Sequence, residues 1–228
     1  QQDITPLVVD RAQVSLILVG LAILLALAGA VPIGMWLART GNTFVSALTQ
    51  IGIAIPSFLV GIIMVAFFAV RLGWLPANGW IPPDQDFGGF IARLIMPVIS
   101  LALVQGAMLT RYVRSSIVDV MDQDYIRTAR ALGLSHAEAL RRHGLRNAAL
   151  PVLTVTGLQL TTLIVGAVVI ESVFVIPGLG SMLLDAVSNR DLTTVQTLVM
   201  LLVFFTLAIN LATDLAYRVI DPRLKEKR

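Results

Sequence analysis

Five stretches of this chain contain no Asp, Glu, Lys or Arg: residues 12–38, 40–70, 94–110, 147–170 and 192–213. A helix crossing about 30 Å of hydrocarbon needs about 17–25 apolar residues, so each stretch accommodates one span, the third only just. The second could be read as two spans, but Pro56 and the flanking polar residues argue for one. None of the five alternates with period two, which argues against a transmembrane barrel. Pro32, Gly34, Pro56, Gly61, Pro97, Gly157 and Gly166 recur inside them. Membrane helices tolerate such residues because neighbouring helices satisfy the freed backbone groups, and local packing kinks are the simplest reading. Along the first span small residues recur every fourth position, at Ala22, Ala26, Ala30, Gly34 and Ala38. That stripe predicts close helix packing inside the bundle rather than a partner-specific surface. The expectation is an all-α polytopic bundle of five spans.

Between the third and fourth spans the pattern changes. Residues 124–151, DYIRTARALGLSHAEALRRHGLRNAALP, hold five of the chain's seventeen basic residues. Residues 124–132 have helical composition, and Gly133 is placed to end that helix. Ser135 opens a second short helix, with Ser135 and Glu138 spaced as a reciprocal capping box. Gly144 reads as its break, and residues 147–150 as a lead into the next span at Pro151. The prediction is a compact elbow fixed at both ends to membrane helices. Arg141, Arg142 and Arg146 taken singly would serve topology or lipid headgroups equally well. The capping signal and the paired glycines ask for more than that.

Composition agrees with a membrane protein: 57% of the 228 residues are hydrophobic, 14% are charged, and the mean hydropathy is +0.84. The absence of cysteine excludes disulfide and thiol chemistry. The basic residues cluster beside the spans, which argues against nucleic acid as a partner. Their distribution also orients the chain. With the amino end outside, Arg39, the seven arginines of residues 111–149 and the five basic residues after Asp214 all face inward. Outward segments carry only Arg11, Arg71, Arg93 and Arg190. The cytoplasmic excess of Lys and Arg then places the 111–149 loop and the carboxyl tail in the cytoplasm, with Trp74 and Trp80 at the outer interface. An outside amino terminus needs something to carry it across. The chain starts at Gln1 and residues 1–11 hold no signal-like apolar run, so an upstream hydrophobic segment is expected outside this numbering.

Chemistry within the chain is sparse. Lys225 and Lys227 are the only lysines, and no Gly-rich turn precedes a Lys-Ser/Thr pair, so the chain has no P-loop for nucleotide. His136 and His143 lack a Cys or acidic ligand cluster, which favours a surface structural role over metal. No charge-free stretch contains a histidine, and Gly178-Leu179-Gly180-Ser181 lacks the aspartate of an aspartyl site, which argues against an intramembrane protease. An ion-coupled secondary transporter or channel-like protein with a regulatory loop is the alternative. It calls for ionisable residues at mid-membrane, and Glu171 and Asp214 fall at span ends. Gln105, Thr156, Gln159, Thr161 and Thr162 are the candidates for lining a polar pathway, against the simpler reading of interhelical hydrogen bonds. Asp214 and Arg218 are spaced to pair on one helix face.

The wording of residues 124–151 resembles the cytoplasmic "EAA" loop of ABC-transporter permeases, most of all the dipeptide/oligopeptide/nickel importer branch. The resemblance extends to GIAIPSFLVG (52–61), LGWLP (72–76), VVIESVFVIPGLG (168–180) and DLAYRVIDPRLK (214–225), covering nearly the whole chain. Arg127-Thr128-Ala129 stands where many importers have Glu-Ala-Ala. Pro151 follows Gly133 at 18 positions, farther than in the sugar-importer version. Both departures look like the peptide branch. The resemblance implies a type I ABC importer permease fold over residues 1–228, lacking the family's first span. Within it, residues 111–150 would form the ATPase-coupling loop, with Ala129, Gly133, Leu134, Ser135, Glu138, Arg141, Arg142 and Gly144 as the coupling residues. Glu171, Pro177, Gly178 and Gly180 would begin an outer gate or binding-protein contact, followed by a short helix near residues 181–188. The implied partners are a homologous second permease, two ABC ATPase subunits carrying ATP and Mg, an extracytoplasmic solute-binding protein and the lipid of a bacterial or archaeal cytoplasmic membrane. No catalytic residue, metal or cofactor is implied for this chain itself.

Overall fold

The computed structural model describes residues 5–220; Lys225, Lys227 and most of the expected carboxyl tail lie outside the described residues. The first span is α1 (Thr5–Thr40). After Gly41, Asn42 caps α2 (Thr43–Ala54) by accepting from the Val45 amide. Pro56 cannot continue that helix. The chain restarts as α3 (Ser57–Met64), which runs on as a π-helical segment through Arg71. The two halves meet at 96°, so the second apolar stretch is one broken crossing or a re-entrant loop. A loop then leads to α4 (Phe87–Met121). The polar insert forms α5 (Asp124–Ala131) and the one-turn α6 (His136–Ala139). A π-helical turn at Leu140–Gly144 joins α6 to α7 (Leu145–Val173), so His136–Val173 is one rod. The short α8 (Leu179–Ser188) and the long α9 (Leu192–Ile220) complete the described chain. Among the described residues four helices are long and apolar enough to cross a membrane, five with the bent pair counted as one.

The alanine stripe of α1 packs as expected. Ala22, Ala26 and Ala30 are buried at 0–2% exposure against α4. At Gly34 a Cβ would meet Val113 at 2.7 Å and the Thr110 carbonyl at 3.0 Å, so only glycine lets the two backbones come this close. The central core joins Leu18 of α1, Leu101 and Leu109 of α4, and Leu163, Ile170 and Phe174 from α7 and its end. The Phe174 ring reaches the α carbon face of Gly61, tying the broken crossing to the same core. Outward positions stay apolar: Phe44, Val70, Met200 and Leu207 are all exposed. In water such a surface would aggregate, whereas hydrocarbon solvates it.

Two local expectations are corrected. Gly144 does not break a helix. Its Cβ would meet Leu140 at 2.8 Å and Val120 at 3.0 Å, so it admits α4 rather than turning the chain. Residues 147–150 are accordingly helix, not a lead-in, and Pro151 sits within α7. Asp214 and Arg218, spaced to pair, form no ion pair among the described residues.

Candidate functional site: the polar elbow and the Glu171 clamp

The elbow is built on a core of its own. Ile126 and Ala129 of α5 and Ala139 of α6 are buried against Val120 and Met121 at the end of α4, with Leu134 beside them. Burying Ile126 and Ala129 requires α5 to turn its polar face outward. Arg127, Arg130, Arg141, Arg142, His136 and His143 are all exposed there. Asp124 stands in the first turn of α5, where the helix dipole favours an acid, and contacts Arg127 at 3.5 Å.

Gly133 has φ +96° and closes α5 in a Schellman arrangement. Its amide donates to the Arg130 carbonyl at 2.9 Å, and the Leu134 amide reaches the Ala129 carbonyl at 3.3 Å. No atom stands within 4 Å of a Cβ placed at Gly133, so glycine is required by conformation and not by space. The turn leaves Leu132 81% exposed, a large apolar side chain at the tip of a basic surface.

Ser135 caps α6, accepting from the Glu138 amide at 3.3 Å. The reciprocal half of the predicted box does not form. The Glu138 carboxylate instead holds the Arg142 guanidinium at 2.9 Å, one turn on. A link that the sequence did not signal joins the elbow's two arms: Asn147 Nδ2 of α7 donates to the Tyr125 hydroxyl of α5 at 2.9 Å. The elbow is thus packed on α4, continuous with α7, and pinned between α5 and α7.

The polar residues inside the spans divide. Gln159 of α7 donates its amide to Gln105 of α4, and both are buried. Thr156 and Thr162 donate to carbonyls one turn back, at Val152 and Leu158, with Thr162 on an exposed face. The Thr161 hydroxyl is buried without a partner. The structure therefore pairs the two glutamines across the α4–α7 contact.

At the opposite end of α7, Glu171 is 1% exposed. Its carboxylate accepts from the Ser15 hydroxyl of α1 and from the Gly180 and Ser181 amides at 2.8 and 3.1 Å. Ser15 Oγ in turn accepts from the Leu179 amide at 2.8 Å. The free amides that open α8 are thereby satisfied by α7 and α1, as an N-terminus favours. Arg11 adds a contact to Ser181 Oγ at 3.3 Å. The glycines of IPGLG are explained by space. A Cβ at Gly178 would fall on the Glu171 carboxylate, and one at Gly180 on the Val168 backbone. Sequence reasoning placed Glu171 and these glycines together. It missed Ser15, whose partner lies 156 positions away. Among the described residues no group of three or more His, Asp or Glu side chains could hold a metal.

The family described as "Binding-protein-dependent transport system inner membrane component" matches residues 14–226. A putative peptide transport system permease protein of Brucella abortus (strain 2308) is 39% identical over 232 residues, which cover 98% of this chain and 73% of that protein. The oligopeptide transport system permease protein AppB of Bacillus subtilis (strain 168) is 38% identical over 231 residues, 97% of this chain and 72% of the relative. Among solved structures, the inward-facing MetNI methionine ABC transporter in its SeMet-soak crystal form aligns with a TM-score of 0.79 at 20% identity. It covers 97% of this chain and 99% of that one. An amino acid ABC transporter crystallised with histidines aligns at 0.70 and 19% identity, over 94% of each chain. At those identities the likeness speaks for the fold.

Proposed function

The chain belongs to the family of binding-protein-dependent transport system inner membrane components, as a permease subunit of an ATP-driven importer, and from that premise we propose that it carries peptides and couples to its ATPases through the 124–144 elbow. Peptide cargo is supported by the names of relatives such as the oligopeptide permease AppB. ATP hydrolysis belongs to separate ATPase subunits, and this chain supplies spans and a handle. A second permease, two ATPases holding ATP and Mg, and an external solute-binding protein complete the proposed assembly. The 111–150 segment faces the cytoplasm in this reading, as the arginine distribution favours.

One observation carries the coupling role: helix His136–Val173 runs unbroken from the elbow to the Glu171 clamp. About 38 residues at 1.5 Å each make a rod of about 57 Å, long enough to transmit a displacement from one face of the membrane to the other. Closure of the ATPases would pull Gly133, Leu134, Ser135, Glu138, Arg141 and Arg142, and the rod would carry that motion to the α8 gate. Ala129 and Gly144, both buried, would hold the elbow on α4 rather than touch the ATPase.

Replacing Gly133 with Val tests the coupling. The strained turn should re-aim Leu132, leaving ATP hydrolysis active while uptake falls at least about tenfold. Wild-type uptake with substrate-stimulated ATPase activity in Gly133→Val would sink the role of the elbow. Because the chain has no cysteine, Leu132→Cys gives a clean labelling site for sidedness. Modification by a membrane-impermeant maleimide from outside intact cells would reverse the proposed orientation.

A further inference from the structure

Two cavities meet where α1 ends beside the elbow. The first, of about 440 Å³, is lined by Met35, Arg39, Ser135, Glu138, Arg141 and Leu145, among others. The second, of about 290 Å³, shares Met35 and Leu145 and continues between α1 and α7 past Leu27, Val31, Val152 and Leu153. Apart from Thr156 that groove is apolar. From Leu27 to Met35 it follows α1 for about 12 Å.

The charges sit at one end only. Arg39, in the last turn of α1, and Arg141, on the elbow, are exposed and form no ion pair among the described residues. Glu138 is the one acid on the lining, and its carboxylate is already engaged by Arg142 at 2.9 Å. Two guanidiniums without an acidic partner among the described residues thus stand over a wall of Met and Leu that leads into an apolar groove, Arg141 lying also on the surface that the proposed ATPase contact uses. A free phosphate would satisfy the arginines and leave the groove unexplained. An apolar chain alone would leave the arginines unexplained. Basic pockets between membrane helices suit anionic headgroups.

We propose that this composite cleft binds one anionic phospholipid, its phosphate on Arg39 and Arg141 and an acyl chain between α1 and α7. The lipid bridges α1 to the moving elbow, so the charge of the leaflet tunes how freely the elbow follows its motor. The tuning rests on the coupling role proposed for the elbow and the leaflet on its cytoplasmic reading; the Gly133→Val assay and the Leu132→Cys labelling decide these independently of any lipid count.

The test uses the assembled transporter in nanodiscs of phosphatidylcholine with and without phosphatidylglycerol, with native mass spectrometry counting the lipid that stays bound. The wild type should retain phosphatidylglycerol in preference to phosphatidylcholine. Arg39→Gln or Arg141→Gln should each weaken retention about fivefold, and the pair about thirtyfold, at about 1 kcal/mol per basic residue. Val31→Trp, at an exposed position on the groove, should lower retention with both arginines intact. Arg127→Gln, outside the cleft, should leave it unchanged. Equal retention of the two lipids by the wild type, or unchanged retention in the double arginine variant, overturns the site. Displacement by inorganic phosphate together with a silent Val31→Trp would make it a soluble-anion pocket and overturn the lipid. Retention by the permease subunits without their ATPases but not by the assembled transporter would also overturn it and give the cleft to the protein partner.

Discussion

Replacing Glu171 with Ala separates a buried clamp from an exposed contact. In the wild type the carboxylate satisfies the Gly180 and Ser181 amides and the Ser15 hydroxyl. Alanine leaves two amides at the start of α8 and one hydroxyl without their acceptor, in a place that water does not reach, since Glu171 is 1% exposed. Losing a cap costs about 0.5–2 kcal/mol, and each buried group left unsatisfied costs about 1–3 kcal/mol. Partial relaxation of the α8 end limits the sum, so a loss of about 2–5 kcal/mol is expected. Glu171→Gln should cost much less. Its amide oxygen can still accept from Gly180 and Ser181, and its nitrogen can donate to Ser15 Oγ. Thermal unfolding of the purified transporter in one detergent, followed by uptake of the proposed peptide cargo in vesicles, orders the three proteins: wild type, then Gln close behind, then Ala far below. A residue acting by direct charge contact with an external protein would lose function equally in Gln and Ala with unchanged melting. That pattern, or an Ala variant as stable as the wild type, refutes the clamp.

Gly34→Ala should destabilise the α1–α4 contact by about 1–3 kcal/mol through overpacking against Val113, and Val113→Ala in the same chain should recover most of it in thermal unfolding. Gln159→Leu should cost about 1–2 kcal/mol by stranding Gln105, and Gln105→Leu added to it should restore stability; selective loss of uptake with unchanged melting would instead make the pair a pathway lining. Asp191 caps α9 through the Thr194 amide and hydroxyl, and these bonds hold its carboxyl below the ordinary value. Its contribution is present above the unfolded pKa of about 3.9 and is lost as pH falls through the lower folded value. Hydrogen exchange at residues 192–196, corrected for intrinsic rates, should therefore accelerate below about pH 4 in the wild type and be fast at all pH in Asp191→Ala.

The spans were legible because charge is excluded from hydrocarbon, so charge-free length marks membrane contact. It does not mark helix length. α4 runs from Phe87 to Met121 and carries Arg93, Arg111 and Arg114 beyond its charge-free stretch, since long side chains can reach the interface from a continuing helix. Pro56 was legible as a kink within one span, whereas the full 96° break between α2 and α3 depends on what each half packs against, Gly61 meeting Phe174 and Gly52 meeting Ala107. Gly144 misled for a related reason. A lone glycine signals either a turn or a close approach, and only Val120 and Leu140, brought in by the fold, decide between them.

Helix ends show the same limit most clearly. Three helices close with the same pair of backbone bonds: α5 at Gly133, α7 at Val175 and α8 at Arg190, all with positive φ. Only the first could be read from sequence, because only there does glycine stand at the left-handed position. Val175 and Arg190 each bear about 1–2 kcal/mol of strain that glycine would avoid. What holds them there is the residue that follows. Ile176, after Val175, is 1% exposed in the core and directs the chain into the Glu171 clamp. Asp191, after Arg190, reaches the Thr194 amide that begins α9. Strain of this kind persists where the next element over-determines the turn, so both cryptic closures fall on the two sides of α8. The proposed outer gate is therefore hung between two strained joints, whereas the elbow at the other face turns on a relaxed one.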